Sequence, residues 1–374
     1  MRIGIDGRAL VGPLAGTGRY VFELCRVLHE ALPYAEFVIF GSRPMVQPVA
    51  SARWTVEQSS SGWASRLSAF SWYQLLAGRQ ANKVGIDLFW GGANFLPLGL
   101  SSSIKSVLTV HDLNYKIFGQ SMSVKHRLAY ELFFRASLRR ADVLVSNSEG
   151  TAKRIKDHGL GLVQTIVRPG ASDLFKPAST SEIALMRKQL GLSQPYLLSL
   201  STLEPRKNLP TLVQAFLMMR QQGQLADTEL VLVGQQGWKN EALNAVLAKA
   251  GEYAQSVRFT GFVEDQLLPS LYSGSVLTVM PSIYEGFGMP ALEAGLCAAR
   301  VLATDIPELR EAAGDTAVYV EPTVQGIQEG ILQALSLPPI TEPTVARLTW
   351  QDEGAKLAAL FERLSAEKSI GSAA

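Results

Sequence analysis

Cysteine, charge and long apolar runs are all scarce in this chain, and each scarcity excludes something. Only Cys25 and Cys297 occur among the 374 residues. Two distant cysteines without metal-ligand spacing exclude a disulfide framework and read as buried thiols of a reducing compartment. No Asp-x-Asp pair is present, so a dedicated Mg²⁺ or Mn²⁺ site is not expected. No apolar run approaches the roughly 18 residues that span a bilayer. The stretch Met1 to Leu10 carries Asp6 where a signal peptide would be apolar, so the expected location is cytoplasmic. Charged residues make up 18% of the chain, against about 25% in typical soluble proteins, and hydrophobic residues 47%. That balance suits sheets covered on both faces, whose strands are continuous apolar runs.

What charge there is divides unevenly. Residues 1–180 hold 21 Lys and Arg against 12 Asp and Glu, whereas residues 181–374 hold 14 against 21. The first half is therefore +9 and the second −7, which sum to the overall +2. A basic half points to an anionic partner such as a phospholipid surface or a lipid pyrophosphate; the alternative is ordinary solvated charge. No motif for binding DNA or RNA accompanies it, so nucleic acid is not expected.

Strand and helix signals alternate. Arg2–Ile5, Phe37–Phe40, Leu88–Trp90, Ser106–Val110, Val143–Ser146 and Thr165–Val167 are short apolar strand candidates. A helix with Tyr20, Val21, Leu24, Val27 and Leu28 on one face follows the first. Proline and a Ser/Thr cluster between Ser172 and Pro195 mark a boundary. The pattern then restarts with Tyr196–Leu200, Leu230–Val233, Val257–Thr260, Ser275–Met280, Val301–Ala303 and Ala317–Val320. Asn208 is placed to cap a helix that buries Leu212, Val213, Phe216 and Met219. The expectation is an α/β protein of two Rossmann-like doubly wound domains, 1–175 and 195–345. An amphipathic helix follows within 346–374, packing back towards the first domain and ending in a frayed tail. Ligands of such sheets bind outside the carboxyl ends of the strands, and two facing sheets make a central cleft.

The most informative segment is Pro281-Ser282-Ile283-Tyr284-Glu285-Gly286-Phe287-Gly288-Met289-Pro290-Ala291-Leu292-Glu293-Ala294, directly after a predicted strand. Gly286 and Gly288 allow close approach of backbone. Pro290 suits the first turn of a helix, whose free N–H groups favour a phosphate. Glu285 and Glu293 bracket that turn. Arg206 and Lys207 follow the first strand of the second domain. One offers a bidentate fork and the other a point charge, a pairing suited to a diphosphate. Gly16-Thr17-Gly18 is only part of a dinucleotide fingerprint.

This segment resembles the Glu-x7-Glu motif of retaining glycosyltransferases of family 4, which have the GT-B fold. The resemblance extends across nearly the whole chain. It includes Ile3-Gly4-Ile5-Asp6-Gly7-Arg8, Gly16-Thr17-Gly18-Arg19-Tyr20, Thr109-Val110-His111-Asp112-Leu113, Thr202 to Leu209, and Val233-Gly234-Gln235-Gln236-Gly237-Trp238. It implies a retaining, metal-independent hexosyltransferase without a cofactor. The N-terminal domain would bind the acceptor and the C-terminal domain the nucleotide sugar. His111, Glu285, Arg206 and Lys207 would serve catalysis. Gly16, Gly18, Arg206, Lys207, Phe287, Gly288, Met289, Pro290, Ala291, Leu292 and Glu293 would bind the donor. Likeness to mannosyl- and rhamnosyl-type members, with the basic first half, suggests a GDP-sugar donor and a lipid-linked glycan acceptor of bacterial O-antigen or polysaccharide assembly, made at the inner face of the membrane. The chain departs from the pattern at Cys297-Ala298-Ala299-Arg300-Val301, where the family often has Cys-Gly-x-Pro-Val.

The stretches Trp63–Tyr73 and Lys125–Arg140 mix aromatic and basic residues. Lys125, Arg127, Arg135, Arg139 and Arg140 accompany Tyr130, Phe133 and Phe134. Either the helix is packed with a solvated basic face, or it meets anionic lipid. The alternatives to the transferase reading are a UDP-sugar-dependent enzyme with another acceptor, a nicotinamide dehydrogenase and a nucleotide-binding protein without turnover.

Overall fold

The structure, a computed structural model, describes all residues except 13, 15, 59–63, 65, 119–123, 236–240 and 372–374; side chains of 125, 126 and 368–371 are also outside the description. Trp63 and the end of the Val233–Trp238 motif therefore lie outside the described residues, as do the Lys125 side chain and the last residues of the tail.

The chain forms two units, Met1–Gly170 with Leu348–Ala374, and Ala171–Arg347. Among the described residues the first holds seven strands: β1 Arg2–Asp6, β2 Glu36–Gly41, β3 Trp54–Gln58, β4 Leu88–Gly91, β5 Lys105–Val110, β6 Val143–Ser146 and β7 Thr165–Ile166. All pairings are parallel, in the order β3-β2-β1-β4-β5-β6-β7. The order reverses between β1 and β4. Successive strand residues serve opposite faces, as a pleated strand requires. Ile3, Ile5, Phe37, Ile39, Leu88 and Trp90 join one core with the Thr17–Ala31 helix and with Leu357, Leu360 and Phe361 of the Trp350–Gly371 helix. Val38, Phe40, Phe89, Leu108 and Leu144 join the other, with Trp72, Tyr73 and Phe134.

The second unit holds β8 Tyr196–Leu200, β9 Glu229–Val233, β10 Val257–Gly261, β11 Leu277–Met280, β12 Val301–Thr304 and β13 Val318–Val320. They are again all parallel, in the order β10-β9-β8-β11-β12-β13, reversing between β8 and β11. Parallel neighbours need crossover helices, and the apolar stripe of Leu209–Gln221 supplies one, with Leu212, Val213, Phe216 and Met219 fully buried. The boundary region Ser172–Pro195 belongs to this unit and contains a helix, Thr180–Leu190, opened by a Ser179–Glu182 capping box.

Two expectations change. Strand β3 has no counterpart in the sequence reading; only Trp54 of its five residues is buried, stacked on Phe37 at 4.4 Å. Asn208 occupies the N-cap position of the helix after it, but its side chain makes no capping bond. Its backbone is left-handed (φ 55°), and its side-chain amide donates to the Pro322 carbonyl at 3.1 Å. Both cysteines are buried and unpaired.

Candidate active site

In a doubly wound sheet the loops on either side of the strand-order reversal diverge and leave a crevice at the carboxyl ends. In the second unit those loops follow β8 and β11, and the charged residues gather there. Pro205–Lys207 makes one 3₁₀ turn after β8, and the loop after β11 carries Ser282 and Glu285. The Arg206 carbonyl accepts from Ile283 N–H at 2.9 Å, and Arg206 Nη1 donates to the Tyr284 carbonyl at 3.2 Å, joining the two loops.

Glu285 is the hub. Its Oε2 accepts from Arg206 Nη1 at 2.7 Å, and its Oε1 from Lys207 Nζ at 2.5 Å and Ser282 Oγ at 2.7 Å. Glu204 holds Arg206 Nε at 2.6 Å. Glu204, Lys207 and Glu285 are all buried. Burial alone would raise the pKa of Glu285, but the charges of Lys207 and Arg206 and two hydrogen bonds lower it to about 2. Burial lowers that of Lys207, with Glu285 opposing the shift and the charge of Arg206 adding to it.

The same loop leads into the helix Met289–Leu296. Gly288 opens it at φ 105°, in the left-handed region, and a Cβ there would meet Leu309 Cδ2 at 2.7 Å. Only glycine fits both constraints. The N-cap residue, Gly288, has no side chain to cap this helix, and its first turn carries the partial positive charge of a helix N-terminus. Phe287, Ala291 and Leu292 are buried in support. Glu293, also buried, accepts at Oε2 from the Tyr272 hydroxyl at 3.0 Å. After this helix the chain turns through Ala298 at φ 54°, the glycine position of the related motif. The backbone keeps the left-handed turn although the residue is alanine.

His111, Gly16 and Gly18 belong to the first unit. His111 follows β5 and is buried. Its Nε2 lies 2.7 Å from the Gly92 carbonyl, which can only accept, so Nε2 carries the proton and Nδ1 the lone pair. Burial lowers the pKa, partly offset by that bond and by Asp112, so the ring is neutral near pH 7. Tyr20 packs edge-on at 4.8 Å. Gly16 (φ 50°) opens the Thr17–Ala31 helix, and a Cβ on Gly18 would meet the Ala9 carbonyl at 2.6 Å, so both serve a close turn after β1.

Sequence reasoning gave no role to Glu204, Ser282 or Tyr272. It also missed Arg8, which forms a two-bond fork on Asp6 at 2.6 and 3.0 Å and lies 4.0 Å from the Tyr73 ring centre. The spacing Asp6-x-Arg8 was the only signal. Among the described residues no group of three or more His, Cys, Asp or Glu could hold a metal ion.

Solved structures similar over essentially the whole chain include sucrose-phosphate synthase from Thermosynechococcus elongatus, 20% identical with a TM-score of 0.69 over 100% of both chains. Anabaena HepE in complex with UDP and glucose is 18% identical, with a TM-score of 0.65 over 98% of this chain and 95% of that one. The fold is that of the GT-B glycosyltransferases. Residues 14–170 match the family model described as Glycosyltransferase Family 4, and 182–348 that described as Glycosyl transferases group 1. The O-antigen chain mannosyltransferase B of Escherichia coli is 30% identical over 344 residues, 86% of this chain and 87% of that protein. The chain belongs to the family 4 glycosyltransferases.

Proposed function

We propose that the protein transfers a hexose-type sugar, mannose or a deoxyhexose, from a nucleoside diphosphate donor to a lipid-linked glycan, with retention at the anomeric carbon and without a divalent metal. The observation that carries this reading is the Arg206–Lys207–Glu285 cluster at the strand-order reversal of the second sheet, beside a helix N-terminus. Likeness to an O-antigen chain mannosyltransferase supports a mannosyl donor and a glycan acceptor; GDP is the carrier this reading takes.

A diphosphate entering this crevice takes the place of Glu285 on the two cations. The freed carboxylate then accepts from hydroxyls of the donor sugar. Glu293, one turn into the helix, binds the ribose. In the first unit, neutral His111 offers a lone pair at Nδ1 that can accept a hydroxyl. As the C1–O bond to the diphosphate breaks, its electron pair leaves on the phosphate oxygen. The acceptor hydroxyl oxygen bonds to C1 on the same face and its proton passes to that phosphate oxygen. Arg206, Lys207 and the helix N-terminus stabilise the leaving charge.

Incubation with GDP-mannose, other GDP-sugars and UDP-glucose, each with a prenyl-diphosphate-linked glycan, tests the reading. Transfer from a GDP-sugar with the donor's anomeric configuration kept in the NMR spectrum supports it. An inverted product, or no transfer from any nucleotide sugar, contradicts it.

A further inference from the structure

The helix Val124–Arg140 has two unlike faces. The aromatic residues that gave its sequence an interfacial character turn inward. Phe134 is fully buried, Tyr130 packs against Tyr115 at 4.7 Å, and Phe133 sits edge-on to Phe70 at 5.3 Å. Arg140 is committed too. It donates to the Ser101 and Ile104 carbonyls and pairs with Asp142. Trp72 and Tyr73, from the other aromatic stretch, are fully buried.

The outer face carries Val124, Leu128 and Leu132, exposed by 64, 59 and 67%. At every fourth residue they form one row along the helix. Single exposed leucines are ordinary; three in register form a continuous apolar ridge that water does not favour. Arg135 and Arg139 project from the same sector, within about 80° of helix arc at 100° per residue, and both are exposed. Arg135 pairs with Glu131 at 2.9 Å; Arg127 and Arg139 have no ion-pair partner among the described residues. The helix sequence holds five Lys and Arg against one Glu.

An interface with another protein concentrates apolar residues at its centre and excludes charge from it. Here cations interleave with aliphatic side chains at the helix pitch. That arrangement matches a bilayer surface, where leucines enter the acyl boundary and arginines meet the phosphates. We infer that this face docks the first unit onto an anionic phospholipid surface. The inference stands without the donor assignment, and it sets the protein where a lipid-linked acceptor is concentrated. No helix among the described residues is long and apolar enough to cross a membrane, so the attachment is to one leaflet.

The test is co-sedimentation of the full chain with vesicles of phosphatidylcholine alone or with about a third phosphatidylglycerol. Binding should require the anionic lipid and weaken with salt, because exposed charges are screened over about 8–10 Å at moderate ionic strength. The variant L128S/L132S and the variant R135Q/R139Q should each lower partitioning by roughly tenfold. Their melting and their calorimetric binding of GDP and UDP should match the unmodified protein, which separates failure of this inference from failure of the donor reading. Equal binding to neutral vesicles, no binding to anionic ones, or unchanged binding by L128S/L132S overturns it. So does a concentration-dependent dimer that L128S/L132S abolishes, which would assign the ridge to a second copy of the chain.

Discussion

The Tyr272 hydroxyl donates to Glu293 Oε2 at 3.0 Å, from a side chain with no solvent exposure. The bond fixes one carboxylate oxygen of the fifth residue of the helix Met289–Leu296, one turn past its start rather than in the first turn. Glu293→Gln should weaken nucleoside diphosphate binding by about 1.5–3 kcal/mol, the range for a hydrogen bond to a charged group. Tyr272→Phe should cost about 1 kcal/mol of the same affinity by loosening the carboxylate, with kcat changed less than KM. Calorimetric titration measures both. A Glu293→Gln protein that melts lower but binds normally would leave Glu293 only a structural partner of Tyr272.

Glu285 makes stability depend on acid. Its folded pKa is about 2 against an ordinary 4.5, so it is ionised in both states above the ordinary value. As pH falls from 4.5 towards 2 the unfolded chain takes up a proton and the folded chain does not. Stability supplied by the cluster is therefore full above about pH 4.5 and lost progressively below it, up to about 3 kcal/mol in total. The pKa of Lys207 is lowered by its burial, against the opposing charge of Glu285. Urea midpoints at pH 7, 4 and 3 should fall more steeply for the unmodified protein than for Glu285→Gln; parallel slopes would deny the pairing.

For turnover, Glu285→Gln should act mainly on kcat, because the proposed contact to the sugar strengthens as charge develops at C1. A loss of roughly 10²–10³ in kcat is expected. Normal kcat with raised donor KM would instead assign Glu285 to ground-state binding.

Charge at the leaving group is supplied by side chains and a helix end in this account. Activity should then survive EDTA at millimolar excess, and added Mn²⁺ should not raise it severalfold. Abolition by EDTA with rescue by Mn²⁺ would replace the cation clamp with a metal.

Ala298 sits at φ 54° where glycine has no Cβ penalty. Ala298→Gly should relieve that strain at some cost in unfolded-chain entropy, for a net gain of about 0.5–1 kcal/mol. Chemical denaturation checks it, and a destabilised variant would mean that the Ala298 methyl group contributes packing worth more than the strain.

The sheets were legible because their strands are apolar on both faces and helices of the right period lie between them. Strand β3 was not, since an edge strand with one buried residue has no apolar signature. Arg206, Lys207 and Glu285 could be singled out by motif and chemistry, but not as partners. They lie 79 and 78 positions apart, and only the pairing of β8 with β11 brings them together. The two readings left open for Val124–Arg140 could not be separated in sequence for a related reason. The aromatic residues, as the packed reading has it, turn into the core, while the exposed row is made by Val124, Leu128 and Leu132, which carry no signal of their own.

The central claim is that Arg206 and Lys207 hold a nucleoside diphosphate. Its most direct test is calorimetric titration of the unmodified protein, Arg206→Ala and Lys207→Ala with GDP, UDP and a nicotinamide dinucleotide. The unmodified protein should bind a nucleoside diphosphate but not the dinucleotide, and each variant should lose at least tenfold of that binding, about 1.4 kcal/mol or more. Binding of the dinucleotide alone, or undiminished diphosphate binding in both variants, would contradict it.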